Sequence, residues 1–298
     1  MKISFRTKVI FLLIILAIFP ILINGFVTIL NTTKFLEKNA YHNLRLLNEL
    51  VYKEIENFIN AAMNAIENIS TNPILTSLEV PVSEKEEELK KLISISPIFE
   101  DITLLNAQGN VITSSSFKFY GKWESNYWFL KAKKEKQMVI SDIYAVIEAT
   151  QPVISFFVPI LNAKNEPYLF IVAQLNLEHI FELIQRTRIG ERGQAFLINK
   201  KGEIVIHPYK SLLFEKISED YSVKENTMKR EGEVTFTYLG EKAIGVFKVF
   251  EKFGKYPAPN WHLILVQPRE EILILVKTMR NQILATLSAI LILTILLS

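Results

Sequence analysis

Residues 31–70, NTTKFLEKNAYHNLRLLNELVYKEIENFINAAMNAIENIS, decide the fold. Leu44, Leu47, Val51, Ile55, Phe58, Ala62, Met63, Ile66 and Ile69 recur at three- and four-residue intervals, the period of one helical face. Glu37, Lys38, Asn43, Glu49, Lys53, Glu56, Asn60 and Glu67 fall mainly between them. No glycine or proline intervenes before Pro73, so one helix is predicted to run to Asn72. Its roughly 40 residues, at about 1.5 Å each, make a rod of about 60 Å. Such a rod is too long for one small domain and suits a connection between a membrane and something standing above it. A coiled-coil spacer is one reading of this stretch, and a signalling stalk along which sensor domains pack is the other.

What precedes the rod favours the stalk. Residues 9–30, VIFLLIILAIFPILINGFVTIL, are uncharged, and about 22 residues suffice to span a hydrocarbon core about 30 Å thick. Lys2, Arg6 and Lys8 lie ahead of them, which places residues 1–8 in the cytoplasm and exports the segment that follows. No small-residue cleavage pattern follows, so a retained signal anchor is expected rather than a removed signal peptide. Pro20 and Gly25 are tolerable inside a membrane helix. A second apolar run, residues 283–297, lies just beyond Lys277 and Arg280. At about 15 residues it is shorter than the usual span of about 20, so a second membrane helix cut short by the chain end is expected.

The chain has 298 residues, 49% of them hydrophobic, a formal net charge of +3 and no cysteine. Its charges alternate in sign, as in KEEELKK and KAKKEK, the pattern of a solvated surface rather than a nucleic-acid footprint. The lack of cysteine fits an exported domain that avoids stray disulfides.

Between the apolar ends the sequence describes an α+β pattern in two similar units. After Pro73, Ser83 followed by Glu86 reads as a capping box opening a short helix. Residues 102–105 and 111–114 then flank the turn Asn106-Ala-Gln-Gly109-Asn110. Residues 124–134 are helix-forming, residues 138–141, 152–161 and 168–176 are strand-like, and residues 177–187 form a helix that leads out. The second unit repeats the plan. Residues 194–198 and 203–206 flank Asn199-Lys-Lys-Gly202, strands follow at 234–238, 242–250 and 262–267, and a helix starts near Glu270.

This arrangement resembles the double Cache sensor domains, in which two PAS-like antiparallel-sheet modules stand on one long N-terminal helix between two membrane helices. The hairpin LLNAQGNVITSSS, the helix start YWFLKA, the strand SDIYAV, and the pair PVISFFVPI and LFIVAQLNLEHI carry the resemblance. In the second unit, IGERGQAFLINKKGEIVIHP is similar to the family's membrane-proximal signature. The resemblance implies a stalk helix over residues 31–72, a membrane-distal module over 73–187 and a membrane-proximal module over 188–269. Residues 270–298 are then the exit helix and second membrane helix. It further implies a small-molecule sensing domain of a transmembrane receptor, with residues of about 31–280 outside the cytoplasm.

The richest candidate site is residues 118–128, KFYGKWESNYW, followed by Phe129, where aromatic contact area alternates with polar tips. Tyr120, Trp123 and Asn126 are read as pocket residues, and Trp128 and Phe129 as either pocket or core. Asp142 and Glu148 lie near the same rim, and Gln151 can bond a ligand or cap its strand. In the amino-acid-sensing members that the chain resembles, an Arg two residues before the Trp grips the ligand carboxylate. An Asp at the end of the final strand takes its ammonium. Trp128, Phe129 and Tyr144 match that pattern, whereas Asn126 stands at the Arg position and Gln174 at the Asp position. An amide supplies neither the charge nor the bidentate fork of Arg. The ligand expected on this reasoning is a small molecule other than a zwitterionic amino acid, stacked on Trp128 and hydrogen-bonded by Asn126, Tyr144 and Gln174.

Catalysis is not expected. There is no cysteine nucleophile, no G-x-S-x-G elbow and no P-loop, and Gly190-x-x-Gly193 is too short to cradle phosphates. His42, His179, His207 and His262 lack metal-ligand spacing, and His207-Pro208 reads as a structural turn. No cofactor and no metal are predicted. The lipid bilayer and a second copy of the chain are expected partners, the homodimer forming through the broad apolar stripe of the stalk. A membrane-tethered adhesion module without a ligand is the competing reading.

Overall fold

The computed structural model describes residues 5–116, 123–144 and 152–297. The stalk and the apolar segment before it form one helix, α1 (Phe5–Ser70), of 66 residues with Pro20 inside it. It closes with Thr71 and Asn72 donating to the carbonyls of Asn68 and Ile69. Asn72 Oδ1 then accepts the Ile74 N–H to start α2 (Pro73–Thr76). The next helix, α3 (Val82–Ile95), begins one residue before Ser83 and has no side-chain cap bond. The predicted capping box is therefore not made, because Ser83 lies inside the first turn rather than ahead of it.

Two five-stranded antiparallel sheets follow. The first comprises β1 (Phe99–Asn106), β2 (Val111–Ser114), β3 (Val139–Ile140), β4 (Val153–Leu161) and β5 (Pro167–Asn176) in the order β2-β1-β5-β4-β3. Within it, α4 (Tyr127–Glu135) follows a single 3₁₀ turn at Trp123–Ser125. After α5 (Glu178–Arg186), β6 (Gln194–Ile198), β7 (Ile204–Ile206) and α6 (Val223–Lys229) lead into the second sheet. Its remaining strands are β8 (Glu231–Tyr238), β9 (Glu241–Phe253) and β10 (Tyr256–Pro268), in the order β7-β6-β10-β9-β8. Counted within each sheet, both orders are 2-1-5-4-3. The chain leaves through α7 (Arg269–Ile272) and α8 (Ile274–Leu297).

The matching turns share one chemistry. Asn106 Oδ1 accepts the N–H groups of Gln108 and Asn110, both at 2.9 Å, and Asn199 Oδ1 accepts those of Lys201 and Glu203 at 2.9 and 3.1 Å. The closing glycines, Gly109 and Gly202, have φ of +92° and +79°, which only a residue without Cβ adopts readily.

Helix α1 is the common wall. Leu44, Val51, Ile55, Ile59, Ala62, Met63, Ile66 and Ile69 are buried in one continuous core with residues of both sheets. The stripe expected to serve a partner helix as well is thus covered largely within its own chain, while Leu46 and Leu50 face outward. Along α1 the second sheet comes first. Asn48 Nδ2 donates to the Leu263 carbonyl at 3.3 Å, and Tyr52 stacks on Phe250 at 4.2 Å. The tip of the β9–β10 hairpin follows the helix further, Tyr256 Oη donating to Glu67 Oε1 at 2.6 Å.

The β9–β10 hairpin is longer than its sequence pattern suggested, because Pro257 and Pro259 interrupt the alternation and Asn260 bulges with φ of +60°. Its extension reaches the first unit. Among the described residues, one helix, α1, is long and apolar enough to cross a membrane. The second predicted span falls on α8, which lies beside α1 with Ile283 filling the space over Gly25.

Candidate functional site

Register puts a polar row across an otherwise apolar sheet face. On β5, Leu169, Ile171, Ala173 and Leu175 point to the core shared with α1, and Phe170 and Val172 point the other way, under α4. Gln174 shares that second face. It pairs with Asp101 on β1 and with Ser155 on β4, so the three side chains stand in line. Beyond them, Tyr144 bridges to Val153, and its hydroxyl meets Ser155 Oγ at 2.7 Å. Burial raises the pKa of Tyr144, against the smaller opposing effects of Ser155 and Gln174, so its phenol stays protonated. Trp128 stacks on the Tyr144 ring at 5.6 Å with 20° between the planes.

The predicted site residues do not all share one place. Trp128, Tyr144 and Gln174 come together around this row. Trp123 and Phe129 are core residues of the same face, the first edge-on to Phe157 at 5.6 Å and the second against Phe170 at 4.6 Å. Asn126 is the N-cap of α4, its Oδ1 accepting the N–H groups of Trp128 at 2.9 Å and Phe129 at 3.1 Å. Asp142 faces the second unit, where its Oδ1 accepts the indole N–H of Trp261 at 2.8 Å. Tyr120 and Gln151 lie outside the described residues, as does Glu148. A groove of about 570 Å³ runs between the two units, lined in part by Trp128, Asp142, Tyr144, Lys201 and Asn260, and Asp101, Ser155 and Gln174 are not part of its lining.

Sequence reasoning missed Asp101 and Ser155. Asp101 is 1% exposed and Gln174 equally so, while Ser155 is fully buried. Gln174 Nε2 has no hydrogen-bond partner among the described residues. The signal for Asp101 was an acid inside an apolar run, FEDITLL, followed by the serines that bond it. It escaped because the strand starts at Phe99, three residues earlier than the pattern indicated.

The second unit buries two histidines. His207 Nδ1 accepts the Tyr209 N–H at 2.8 Å, which leaves Nε2–H to donate to Tyr238 Oη at 2.6 Å, and Tyr238 donates on to Gln194. His262 is held between Tyr221 Oη at 2.9 Å and Thr227 Oγ1 at 2.8 Å. Desolvation pushes both imidazoles down to about 4. Gly190-x-x-Gly193 forms a turn whose Glu191 and Arg192 N–H groups donate to the Glu271 carboxylate at 3.0 and 2.9 Å.

Two antiparallel sheets of the same strand order on one long helix form the fold of a sensor domain. Residues 32–275 match the dCache_1 family, described as a Cache domain, and the chain belongs to that family. It is 26% identical over 174 residues to sporulation kinase D of Bacillus subtilis, covering 58% of this chain and 34% of that protein. Methyl-accepting chemotaxis protein PscA of Pseudomonas syringae is 21% identical over 237 residues, covering 78% and 36%. The chain thus spans about a third of the length of these relatives. Among solved structures, the ligand-binding domain of the amino acid chemoreceptor PctC of Pseudomonas aeruginosa, in complex with GABA, has a TM-score of 0.62 at 16% identity. That match covers 76% of this chain and 98% of the domain. The Mlp24 domain with asparagine has a TM-score of 0.61 at 16% identity, covering 83% and 99%.

These findings correct the expectation that a zwitterionic amino acid is an unsuitable ligand. Similar domains hold GABA and asparagine, and others were solved with L-isoleucine, L-serine, L-arginine and L-glutamine. The charge argument failed for a local reason. It read polarity at Asn126 and Gln174 alone, whereas Asn126 turns its oxygen into α4 and a carboxylate stands one strand away at Asp101.

Proposed function

We propose that this chain senses an amino acid or closely related amine in its first unit, which stands away from the membrane, and passes the change through the second unit to α7 and α8. On this reading residues 73–187 are the membrane-distal module and 188–269 the membrane-proximal one. Both α1 and α8 cross the bilayer, and the units between them lie outside the cytoplasm. Signalling requires a ligand with different affinity for two states of the stalk and exit helices. The observation that carries the reading is the buried Nε2 of Gln174, without a hydrogen-bond partner among the described residues, beside the Trp128–Tyr144 stack. An orphaned buried donor is costly, and a ligand acceptor relieves it. The order of packing along α1 supports the distal assignment, since the second sheet meets the helix nearer its apolar end.

The test is a thermal-shift screen of the full chain in lipid nanodiscs against the twenty L-amino acids, GABA and small primary amines. At least one compound is expected to raise the melting temperature by a few degrees, since a ligand at about 100 times its Kd adds about 2.7 kcal/mol. The shift is expected to disappear in Trp128→Ala. A flat response to the whole panel overturns the proposal.

A further inference from the structure

Asp101 and Gln174 stand side by side on the floor of this face with complementary vacancies in their hydrogen bonding. Asp101 Oδ1 is crowded by Ser114 Oγ at 2.6 Å, Ser116 Oγ at 2.8 Å, Ser115 Oγ at 2.9 Å and Ser116 N at 3.0 Å. Its Oδ2 receives one donor, the Thr103 hydroxyl at 2.5 Å. Each carboxylate oxygen offers two lone pairs, so Oδ2 keeps one uncommitted among the described residues. All five donors are neutral, and no Lys or Arg among the described residues pairs with Asp101. Neutral donors spread a carboxylate's charge without cancelling it. One strand over, the Gln174 amide nitrogen lies near the Tyr144 hydroxyl and has no hydrogen-bond partner of its own among the described residues. The pair is therefore matched to a molecule that brings a positive donor and, next to it, an acceptor oxygen.

We infer that Asp101 is the cation-binding residue of this sheet face and that Gln174 Nε2 donates to an oxygen of the same ligand. The site then takes a small molecule with an ammonium beside a carbonyl or carboxylate, an α-amino acid or its carboxamide. In the amino-acid sensors that the chain resembles, the carboxylate belongs to the final strand, at the place of Gln174. Here β1 supplies it across the strand pair. The backbone register allows the exchange, because directly opposed residues project from the same face at nearly the same point. The inference rests on the first unit being the binding module.

The experiment is titration calorimetry on the full chain in nanodiscs with each L-amino acid, its N-acetyl derivative and its carboxamide. For an amino acid that binds, N-acetylation removes the cation and is expected to lower affinity by at least about 50-fold. The carboxamide keeps both the ammonium and an acceptor oxygen and is expected to stay within about tenfold. Asp101→Asn is expected to match the loss on N-acetylation. If the unmodified chain binds the N-acetyl form as well as the free amino acid, the inference falls while the pocket stands. That comparison needs no variant and decides the matter should Asp101→Asn fail to fold. Unchanged affinity in a folded Asp101→Asn overturns it equally and assigns the carboxylate to holding the serine loop. Absence of binding by every compound sinks both this inference and the pocket on which it rests.

Discussion

Gln174 keeps a buried Nε2 without a partner among the described residues, a group whose desolvation costs about 1–3 kcal/mol. On the proposed function, a ligand acceptor at this nitrogen offsets that cost. Gln174→Leu is therefore expected to raise unfolding stability by about 1 kcal/mol while abolishing any ligand-induced thermal shift. A stability loss accompanied by intact ligand response would contradict both expectations. Asn126 is the opposite case, since its amide oxygen already holds two N–H groups of α4. His207 and His262 make a second residue-scale prediction. Burial lowers both from 6.5 to about 4, so the unfolded chain binds more protons than the folded chain in that interval. Their contribution, on the order of 3 kcal/mol each, is present above pH 6.5 and is lost as pH falls towards 4. Urea unfolding followed by tryptophan fluorescence is expected to show a lower midpoint at pH 5 than at pH 7.5, a range above ordinary carboxylate titration. Equal midpoints would mean that the two imidazoles protonate without strain.

The loop at residues 190–193 and the exit helix α7 form one latch. Gly190 has φ of +57°, and a Cβ there would lie 1.9 Å from Glu271 Oε1. The glycine thus lets the backbone approach the carboxylate that Glu191, Arg192 and Gln267 all bond. Gly190→Ala is expected to cost roughly 1–3 kcal/mol and to free Glu271 from the loop. Hydrogen exchange at the Glu191 and Arg192 amides reads this directly and is expected to accelerate at least about tenfold. Unaltered exchange would show that the loop holds its shape without the helix. Glycine spacing alone suggested a turn that holds no phosphate. What the turn does hold, a carboxylate 80 residues later in the chain, became visible only when α7 was placed beside it.

Across the whole molecule, the contact best placed to couple the units is Trp261 Nε1–H to Asp142 Oδ1, two residues from Tyr144. Trp261 is fully buried against Phe253 at the end of the long hairpin. Trp261→Phe keeps most of the packing and removes the donor. It is expected to cost about 1–2 kcal/mol and to show a coupling of about 1 kcal/mol with Asp142→Asn in a double-mutant cycle. Additive effects would mean that the two units respond independently. How much of this molecule was legible in its sequence follows from the range of each interaction. The long helix, the ten strands and the two Asn-x-x-Gly turns depend on residues within a few positions of one another, and local pattern indicated their presence, though not every boundary. Trp128, Tyr144 and Gln174 were candidates by their order in the chain, and the fold brings them together. The single core around α1, the consumption of Asn126 as a cap, the alignment of Asp101 with Gln174 and the reach of Trp261 to Asp142 were decided by the tertiary structure. Each joins segments whose separation along the chain carries no trace of their distance in space, and in each the partner's register, rather than the residue itself, sets the chemistry.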